Sequence, residues 1–530
     1  MIIIRNLKFP LNADFKNLND TLSGILGINL KTEKVSIYKK AVDARDKTNV
    51  YFNCSVLVSS PNESKLLKTL KKWKPEPFFE KDYKYPNSDV EAASPLVVGF
   101  GPAGMFAALS LAKAGLKPIV VEQGKDADSR LKDVQDFFSG KPLNESSNIQ
   151  FGEGGAGTFS DGKLNTGIKD PRIREVLRVF AENGAGEHIL YDAKPHIGTD
   201  VLINVVKNIR GKIIELGGTI LFNHKLVAIE TVGNSVSAAV VENEFEAKKF
   251  IVDKIVLAPG HSARDTYLML KNIGVTLNPK PFAIGVRIEH LQSKINEAQY
   301  GDFANSEYLG AADYRLATHL ENGRGVFTFC MCPGGEVVNA SSEENGVVVN
   351  GMSNSRRDNI NANSAVLVGV EVEDFYKGDC LDGVEFQRKI EQTAFSLGNG
   401  LPICQKFGDL ISEKPTEKQD VKEVLPSVKS GVSYGEISNI FPQFIVESLK
   451  DGINDFSKKL KGFNDSNALL IAPETRSSSP VRVLRNEEFL ASLSGLYPCG
   501  EGAGYAGGIT SAAVDGLKTA EWVVEHINRQ

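Results

Sequence analysis

Hydrophobic and polar positions along residues 1–73 alternate in short periods that predict a small α+β unit. Apolar runs of strand length and segments of helical spacing follow one another. The predicted strands are residues 1–7, 35–38 and 50–58, and the predicted helices are residues 15–26 and 64–73. Residues 74–94 are rich in proline and charge, which is typical of a linker. We therefore expect an N-terminal domain over residues 1–73, separated by a linker from the main body.

A sharper pattern occupies residues 96–122. An apolar strand leads into the turn Gly99-Phe100-Gly101-Pro102-Ala103-Gly104, an apolar helix follows, and a second apolar strand ends in Glu122. This strand–helix–strand order with G-x-G-x-x-G is the fingerprint of a dinucleotide-binding fold. The same glycine spacing starts again at Gly152 and at Gly502, but only the first copy has the strand, the helix and the acid around it. We expect a nucleotide to bind at this first copy.

Each residue type in the fingerprint has a physical reason. Gly99 permits a tight turn, Gly101 lets a pyrophosphate approach the main chain, and Gly104 lets the helix lie close to the sheet. The helix N-terminus, with Pro102 in its first turn, offers free N–H groups to the phosphates. Glu122 is expected to accept hydrogen bonds from both ribose hydroxyls and to repel a 2′-phosphate, so the site disfavours NADP.

Three further segments contain chemistry of the same kind. Residues 152–164 (GEGGAGTFSDGKL) predict a glycine-rich loop with many free amides, and residues 254–260 (KIVLAPG) predict a strand that ends in a turn. Residues 495–520 predict a short strand, a glycine loop and a helix that starts near Ile509. A dehydrogenase that binds only NAD needs no second binding segment so far along the chain. A disulfide-reductase type of enzyme would show a second fingerprint in strand–helix context, which this sequence lacks.

With these four segments in this order, the chain resembles the FAD-dependent oxidoreductases that have one dinucleotide fold. It is most similar to an uncharacterised bacterial group of FAD-dependent dehydrogenases related to flavoproteins of the succinate dehydrogenase type. The resemblance covers residues from about 96 to the C-terminus. It implies FAD as the cofactor and an oxidoreductase activity. One position departs from the family pattern, because Glu501 stands where the family usually has Asp.

The resemblance also implies the cofactor contacts. Those of the pyrophosphate are Gly99, Gly101, Pro102, Ala103 and Gly104, and those of the ribose are Glu122, Gln123 and Arg130. Those along the flavin are Gly157, Thr158, Phe159 and Ser160, and those at the adenine-side turn are Pro259 and Gly260. Gly500 and Glu501 are expected near the ribitol and pyrophosphate, and Gly508, Ile509 and Thr510 at the O2 edge of the flavin.

Residues 263–484 are expected to form a substrate or cap domain inserted into the FAD-binding domain, whose two parts are residues 95–262 and 485–530. Apolar runs alternate there with glycine-rich polar turns, which predicts a largely antiparallel sheet. The expected fold class is therefore α/β: a Rossmann-type FAD-binding domain, an inserted largely antiparallel β (α+β) domain and a small N-terminal α+β domain.

Candidate catalytic residues lie mainly in this inserted domain. Arg287 and Arg476 are candidates to clamp an anionic substrate, as are Arg356 and Arg482, although salt bridges within the insert remain an alternative. His290 is a candidate proton donor, as are His261 and His196, with a structural role as the alternative. Cys330 and Cys332 are expected to pack as buried thiols, not to form a redox pair. They are not expected to bind a metal, because two more ligands at suitable spacing are missing.

Composition narrows the function classes. The 530 residues include 61 Lys and Arg against 66 Asp and Glu, which gives a formal charge of −5 and makes a nucleic-acid partner unlikely on electrostatic grounds. No run approaches about 18 apolar residues, and the apolar start of the chain is too short for a signal peptide. We therefore expect a cytoplasmic protein without a membrane partner or a bound metal.

The function expected from the sequence is that of an FAD-dependent oxidoreductase. It would move hydride to or from flavin N5 on an unidentified, anionic small molecule, with NAD(P)H as a candidate electron donor. The alternative is a flavin-binding protein that serves mainly to recognise a partner through its N-terminal domain.

Overall fold

The computed structural model describes residues 1–90 and 94–530. Its N-terminal unit is an antiparallel sheet in the order β2-β3-β1-β4 with two helices. The elements are β1 (Ile2–Phe9), α1 (Leu18–Leu26), β2 (Lys34–Asp43), β3 (Tyr51–Ser59), α2 (Glu63–Thr69) and β4 (Glu76–Pro77). The antiparallel N-terminal sheet confirms that part of the expected fold. Strand β4 lies inside the segment predicted as a linker, because Glu76 pairs with Ile3 at the edge of the sheet.

The N-terminal unit is joined to the main body through its other edge. The Lys40 amide of β2 donates to the Tyr191 carbonyl at 2.7 Å, and the Ala193 amide donates to the Lys40 carbonyl at 2.8 Å. The Lys40 side chain lies beside the Tyr191 ring and 3.4 Å from an Asp192 carboxylate oxygen. A sheet edge that would otherwise be open is therefore partly covered by the protein itself.

The first part of the main body alternates strands and helices. Its elements are β5 (Leu96–Val98), α3 (Pro102–Lys113), β6 (Ile119–Glu122), α4 (Ala127–Phe138), α5 (Arg172–Phe180), α6 (Thr199–Glu215), β7 (Thr219–Phe222), β8 (Lys225–Val232), β9 (Ser235–Glu242), β10 (Ala247–Ile251) and β11 (Ile255–Leu257). Strands β8, β9 and β10 form an antiparallel sheet of their own. The other strands of this part belong to the central parallel sheet.

The middle of the chain builds the inserted region. Its elements are α7 (Arg264–Asn272), β12 (Leu277–Pro279), β13 (Phe282–Leu291), α8 (Gln292–Tyr300), β14 (Ala317–His319), β15 (Gly325–Cys332), β16 (Glu336–Asn339), β17 (Val349–Met352), β18 (Asn361–Val370), α9 (Val372–Phe375), α10 (Asp382–Gly398), β19 (Ile403–Lys406), α11 (Phe407–Ile411), β20 (Ser433–Tyr434), α12 (Gln443–Phe456), β21 (Leu469–Glu474) and β22 (Val481–Val483). Seven strands form one sheet in the order β14-β15-β18-β13-β21-β19-β20, in which only the β19–β20 pair is parallel. The predicted antiparallel sheet is therefore confirmed, while the domain limits stay predictions.

The C-terminal segment returns to the central sheet. It supplies β23 (Leu496–Pro498) and α13 (Ile509–Asn528). The parallel sheet has the order β23-β11-β5-β6-β7, so only β11 separates the last strand of the chain from the fingerprint strand β5. Helix α13 packs against α3 so closely that a Cβ on Gly516 would lie 2.2 Å from the Ala103 carbonyl oxygen. The two distant glycine segments of the sequence thus meet at the carboxyl edge of one parallel sheet, where α/β proteins bind ligands.

No helix among residues 1–90 and 94–530 is both long and apolar enough to cross a membrane.

Candidate functional site

The carboxyl edge of the parallel sheet opens into a cleft of about 1550 Å³, its open mouth included. Its wall contains the turn after β5, the end of β6, the turn after β11 and the loop before α13. Of the nineteen residues that the sequence assigned to the cofactor, thirteen line this cleft. They are Gly99, Gly101, Pro102, Ala103, Glu122, Gln123, Gly157, Ser160, Pro259, Gly260, Glu501, Gly508 and Ile509. Segments some 400 positions apart in the chain therefore share one cleft.

The structure explains why glycine is needed at two of the three fingerprint positions by contacts within the protein, and it does not do so at the third. Gly99 has a φ of 90°, and a Cβ there would lie 2.2 Å from the Ala258 carbonyl oxygen. A Cβ on Gly104 would lie 2.0 Å from the Gly99 carbonyl oxygen, so both positions are required by the packing of the protein itself. Gly101 differs, because its φ is −75° and the nearest atom to an added Cβ is the Gly155 Cα at 3.7 Å. The space over Gly101 is part of the cleft.

Two helices begin at this cleft with glycine as the N-cap. In α3 the N-cap is Gly101, whose carbonyl accepts the first intrahelical bond from the Met105 amide at 2.8 Å. In α13 the N-cap is Gly508, whose φ is 145° and whose carbonyl accepts from the Ala512 amide at 3.0 Å. A glycine N-cap brings no side chain to satisfy the first N–H groups of a helix. Both helix starts can therefore donate to a negatively charged or carbonyl-bearing ligand.

Glu122 connects three main-chain segments beneath the cleft. Its Oε2 accepts from the Phe100 amide at 2.8 Å, and its Oε1 accepts from the Gly124 and Gly152 amides at 2.9 and 3.0 Å. The side chain is 5% exposed and lines the cleft. Since an ionised carboxylate offers about four acceptor positions, these bonds leave room for a ribose hydroxyl. The sequence indicated the ligand role of Glu122 but not its role in fastening the loop.

Arg130 does not line the cleft, which corrects its expected place at the ribose. The guanidinium is fully buried, and its N–H groups donate to main-chain carbonyls in and just before the glycine-rich loop. It donates to Asn148, Ile149, Glu153 and Gly155 at 2.8, 2.9, 2.7 and 3.0 Å. Because these carbonyls point inward to Arg130, the opposite side of the loop faces the cleft. Arg130 is therefore a positioning residue.

The other assigned residues outside the wall hold the lining segments in place. The Thr158 hydroxyl donates to the Glu153 carbonyl at 3.2 Å, and the Thr510 hydroxyl donates to the Leu164 carbonyl at 2.8 Å. The Gly500 amide donates to Asp515 Oδ2 at 2.8 Å, and Asp515 forms an ion pair with Arg485. Phe159 packs under the Arg130 guanidinium, 4.8 Å from ring centroid to Cζ. Gly104 has the packing role given above.

Two of the three catalytic candidates lie outside the cleft wall. His290 is buried in the inserted region, and its Nε2 lies 2.8 Å from the Phe463 carbonyl; burial lowers the pKa of its ring to about 4. Arg287 is fully buried and forms a two-point ion pair with Glu474. Arg476 does line the cleft, but Glu391 Oε2 lies 2.8 Å from its Nη2. The structural alternative thus holds for His290, and Arg287 reaches the cleft only through its partners.

Two partners of Arg287 are among the cleft residues that the sequence analysis missed. Glu474 and Asn350 line the cleft, and Arg287 Nη2 donates to the Asn350 side-chain oxygen at 2.9 Å. Lys163 also lines it, with its Nζ 2.7 Å from Asp161 Oδ2. Lys163 was within reach of the sequence, since it belongs to the glycine-rich loop already singled out.

Cys330 departs from its expected role as a buried packing residue. It lies two residues before the end of strand β15, is exposed, and lines the cleft, whereas Cys332 ends the strand, is buried and also lines the cleft. Within the described residues all six cysteines are free thiols.

Glu501 and His261 form a second pair of titratable groups in the wall of the cleft. The distance from Glu501 Oε1 to His261 Nδ1 is 3.8 Å. Burial raises the pKa of Glu501 to about 7, and the charge of Lys280 opposes this only in part. Burial and the nearby charges of Arg476 and Arg264 lower the pKa of His261 to about 4. Near neutral pH the histidine is therefore neutral, and the carboxyl titrates.

Comparisons with known proteins agree with this geometry. The family model described as "FAD-dependent protein, C-terminal domain-like" matches residues 281–477, and the model described as "FAD binding domain" matches residues 94–132. Residues 1–59 match a domain of unknown function, DUF8436. An uncharacterized protein of Clostridium beijerinckii is 46% identical over 534 residues, which covers 99% of this chain and 98% of that protein.

Similar solved structures share far less sequence. A geranylgeranyl bacteriochlorophyll reductase-like protein of Thermoplasma acidophilum is 14% identical, with coverage of 83% of this chain and 79% of that chain and a TM-score of 0.36. A mutant quinol fumarate reductase of E. coli is 11% identical, with coverage of 83% and 71% and a TM-score of 0.36. A glycerol-3-phosphate dehydrogenase of Bacillus halodurans, complexed with FAD, is 12% identical, with coverage of 83% and 65% and a TM-score of 0.36. Nothing about the substrate follows from these similarities.

The fold and the cleft are those of a Rossmann-type FAD-binding protein. The chain belongs to the family of FAD-dependent proteins that includes the Clostridium beijerinckii relative.

Replacing Arg130 with Met tests its positioning role. Arg130→Met keeps most of the side-chain volume but leaves the carbonyls of residues 148–155 without their donor. Since unpaired buried polar groups cost about 1–3 kcal/mol each, we expect a loss of at least 3 kcal/mol in the free energy of unfolding, measured in urea. Arg529→Met, at the exposed C-terminus, is the control and should change that free energy by less than about 0.5 kcal/mol. An unchanged midpoint for Arg130→Met would contradict the positioning role.

The raised pKa of Glu501 predicts a pH-dependent stability. Its pKa is about 7 in the folded state against 4.5 for the free side chain, so the unfolded state loses this proton first. Stability from this group is complete below about pH 4.5 and falls as the pH rises to about 7. In urea, the free energy of unfolding of wild type relative to Glu501→Gln should fall by about 2 kcal/mol between about pH 5 and pH 8.

The difference between the two proteins isolates Glu501 from its neighbours. The groups that face it are His261 after β11, Lys280 after β12 and the more distant Tyr267 of α7. Arg264 and Arg476 act on His261 instead. His261 has the opposite slope, because its lowered pKa makes the protein less stable as the pH falls from about 6.5 to about 4. That slope is common to both proteins and cancels. If the free energies of unfolding of wild type and Glu501→Gln changed with pH in parallel, the Glu501 carboxyl in the folded state would have an ordinary pKa, which would contradict the prediction.

Proposed function

We propose that this protein is an FAD-dependent oxidoreductase that moves hydride to or from flavin N5 on a small molecule bound in the cleft. The observation that carries the proposal is the space over Gly101. The packing of the protein explains Gly99 and Gly104, but it leaves room for a side chain at Gly101, where two glycine-capped helices point at the cleft. A pyrophosphate close to the main chain accounts for that glycine.

The residues of the cleft fit each part of FAD. The start of α3, at Gly101 to Ala103, would hold the pyrophosphate, and Glu122 would hold the adenosine ribose. The start of α13 and the loop that contains Gly157 would lie along the flavin, since a Cβ on Gly157 would come within 3.1 Å of Ile509 Cγ1. When bound, FAD supplies the two-electron chemistry, while the protein binds and orients it.

The substrate would lie between the flavin and the seven-stranded sheet. Lys163 and Arg476 are cations of the wall on that side, and an anionic substrate is proposed on their account. Both already have carboxylate partners, Asp161 and Glu391, so the substrate would share these charges. NAD(P)H remains a candidate donor that would enter by the same cleft. The contact of the N-terminal unit with Tyr191 and Ala193 gives residues 1–73 a structural role, which favours the enzyme over a module for partner recognition.

The variant Gly101→Val tests the cofactor site directly. A φ of −75° is available to any residue, and an added Cβ would meet the Gly155 Cα at an ordinary contact distance of 3.7 Å, so the melting temperature of the apoprotein should change by less than about 3 °C. The added carbons fill the space for the pyrophosphate, so we expect FAD affinity, measured by quenching of flavin fluorescence, to fall at least about 100-fold.

Gly167→Val is the matched control. Gly167 has no atom within 4 Å of an added Cβ and is not among the residues that line the cleft, so its FAD affinity should equal that of wild type. Normal flavin content in Gly101→Val would overturn the placement of the pyrophosphate. Bound flavin that no small-molecule donor or acceptor reduces or oxidises, under anaerobic conditions, would overturn the oxidoreductase activity.

A further inference from the structure

Two cysteines of this chain share the flavin cleft. Cys330 is exposed into it and Cys332 is buried in its wall. A third thiol, Cys499, also lines the cleft, but it follows β23 at the edge of the parallel sheet and donates no bond to the other two cysteines. Cys54 and Cys404 are buried elsewhere, and Cys380 is partly exposed. Only Met331 separates the two residues, so their thiols stay close together along the chain.

The main chain leaves regular extension at this pair. The pairing of β15 with β18 shifts register between Phe329 and Cys332, and Cys330 has a φ of 40°. A regular strand would hold their Cα atoms about 6.6 Å apart, near the upper limit of the roughly 4.4–6.8 Å found in disulfides. A bulge with a left-handed residue shortens this span, and such conformations cluster at functional sites.

Two cations fix the segment and face the sulfur atoms. Arg287 Nη1 donates to the Cys330 carbonyl at 2.8 Å and lies 3.9 Å from Cys332 Sγ. Lys163 Nζ donates to the Met331 carbonyl. Cys332 Sγ lies 3.2 Å from the Cys330 carbonyl oxygen, to which it donates, so the sulfur is turned back towards its partner. The two cations therefore hold the segment from Cys330 to Cys332 in place beside the cleft.

We propose that Cys330 and Cys332 form a redox-active dithiol that exchanges two electrons with the flavin bound in this cleft. The proposal rests on the proposed function. On oxidation, the two S–H bonds break and one S–S bond forms between the two Sγ atoms. Two electrons and one proton pass to the oxidised flavin as a hydride equivalent, and the second proton passes to the Glu474 carboxylate in the cleft wall. Reduction of the disulfide by reduced flavin is the reverse.

The protonation of the resting pair agrees with this balance. The walls of the cleft shield the Cys330 thiol from water and raise its pKa to about 12, against the opposing charges of Arg287 and Lys163. The dithiol therefore holds both protons at neutral pH, and its oxidation must release them. Burial also raises the pKa of Glu474, which makes this carboxylate a better proton acceptor than a surface one.

An anaerobic dithionite titration of the air-oxidised holoprotein counts the electrons. Wild type should take up four electrons per FAD, two for the flavin and two for the disulfide. Cys330→Ser and Cys332→Ser should each take up two, and the control Cys380→Ser should take up four. Retained FAD with an uptake of two electrons in wild type would overturn the dithiol and leave the proposed function intact. Wild type that binds no FAD would instead overturn the proposed function.

A second measurement does not depend on how the variants fold. Wild type is alkylated under denaturing conditions, before and after reduction, and the peptide with residues 330–332 is weighed by mass spectrometry. We expect the oxidised holoprotein to give an unalkylated peptide, lighter by two hydrogen atoms than the free dithiol, and the reduced protein to give a doubly alkylated one. Double alkylation of the air-oxidised holoprotein would overturn the proposal.

Discussion

Contact between main chain and main chain at glycine positions is the constraint on which the rest of this structure depends. The carbonyl oxygens of Ala258 and Gly99 and the backbone of α3 lie where side chains of Gly99, Gly104 and Gly516 would be. These contacts hold the strands β5 and β11 of the sheet and the helices α3 and α13 close together. Without them the two helix N-termini would not open on the same cleft, and the C-terminal segment could not complete a site begun some 400 residues earlier.

Buried charge gives the cleft its second constraint. Arg130 and Arg287 are both fully buried, and each is surrounded by acceptors: carbonyls of one loop for Arg130, and a carboxylate, amides and a carbonyl for Arg287. A buried guanidinium is tolerated only when its N–H groups are satisfied, so each arginine specifies the shape of the segment around it. The glycine-rich loop and the Cys330 segment are therefore set by two cations that never need to touch a ligand.

The parts of the site that could be predicted from sequence are those whose chemistry is local. The fingerprint turn, Glu122 at a strand end and the glycine before α13 follow from spacing, because each needs only its own strand and helix. Arg130 could not be placed, since its partners are carbonyls of a loop about twenty residues later, and any exposed helix can carry an arginine. His290 and Arg287 failed for the same reason: a strand pattern fixes which residues share a face but not which face meets the cleft.

The bulge in β15 is a second case in which the sequence pattern did not predict which side chains reach the cleft. Cys330 was expected from the sequence to pack as a buried thiol. Instead Arg287 draws the Cys330 carbonyl inward and the register shifts, which turns the thiol towards the cleft. Arg287 forms a buried ion pair with Glu474, which is a structural role. Through its bond to the Cys330 carbonyl it also determines which side chains a ligand in the cleft would contact. In this protein an irregularity of one strand in the inserted sheet places a thiol in the cleft, and regular strand pairing on either side supports that irregularity.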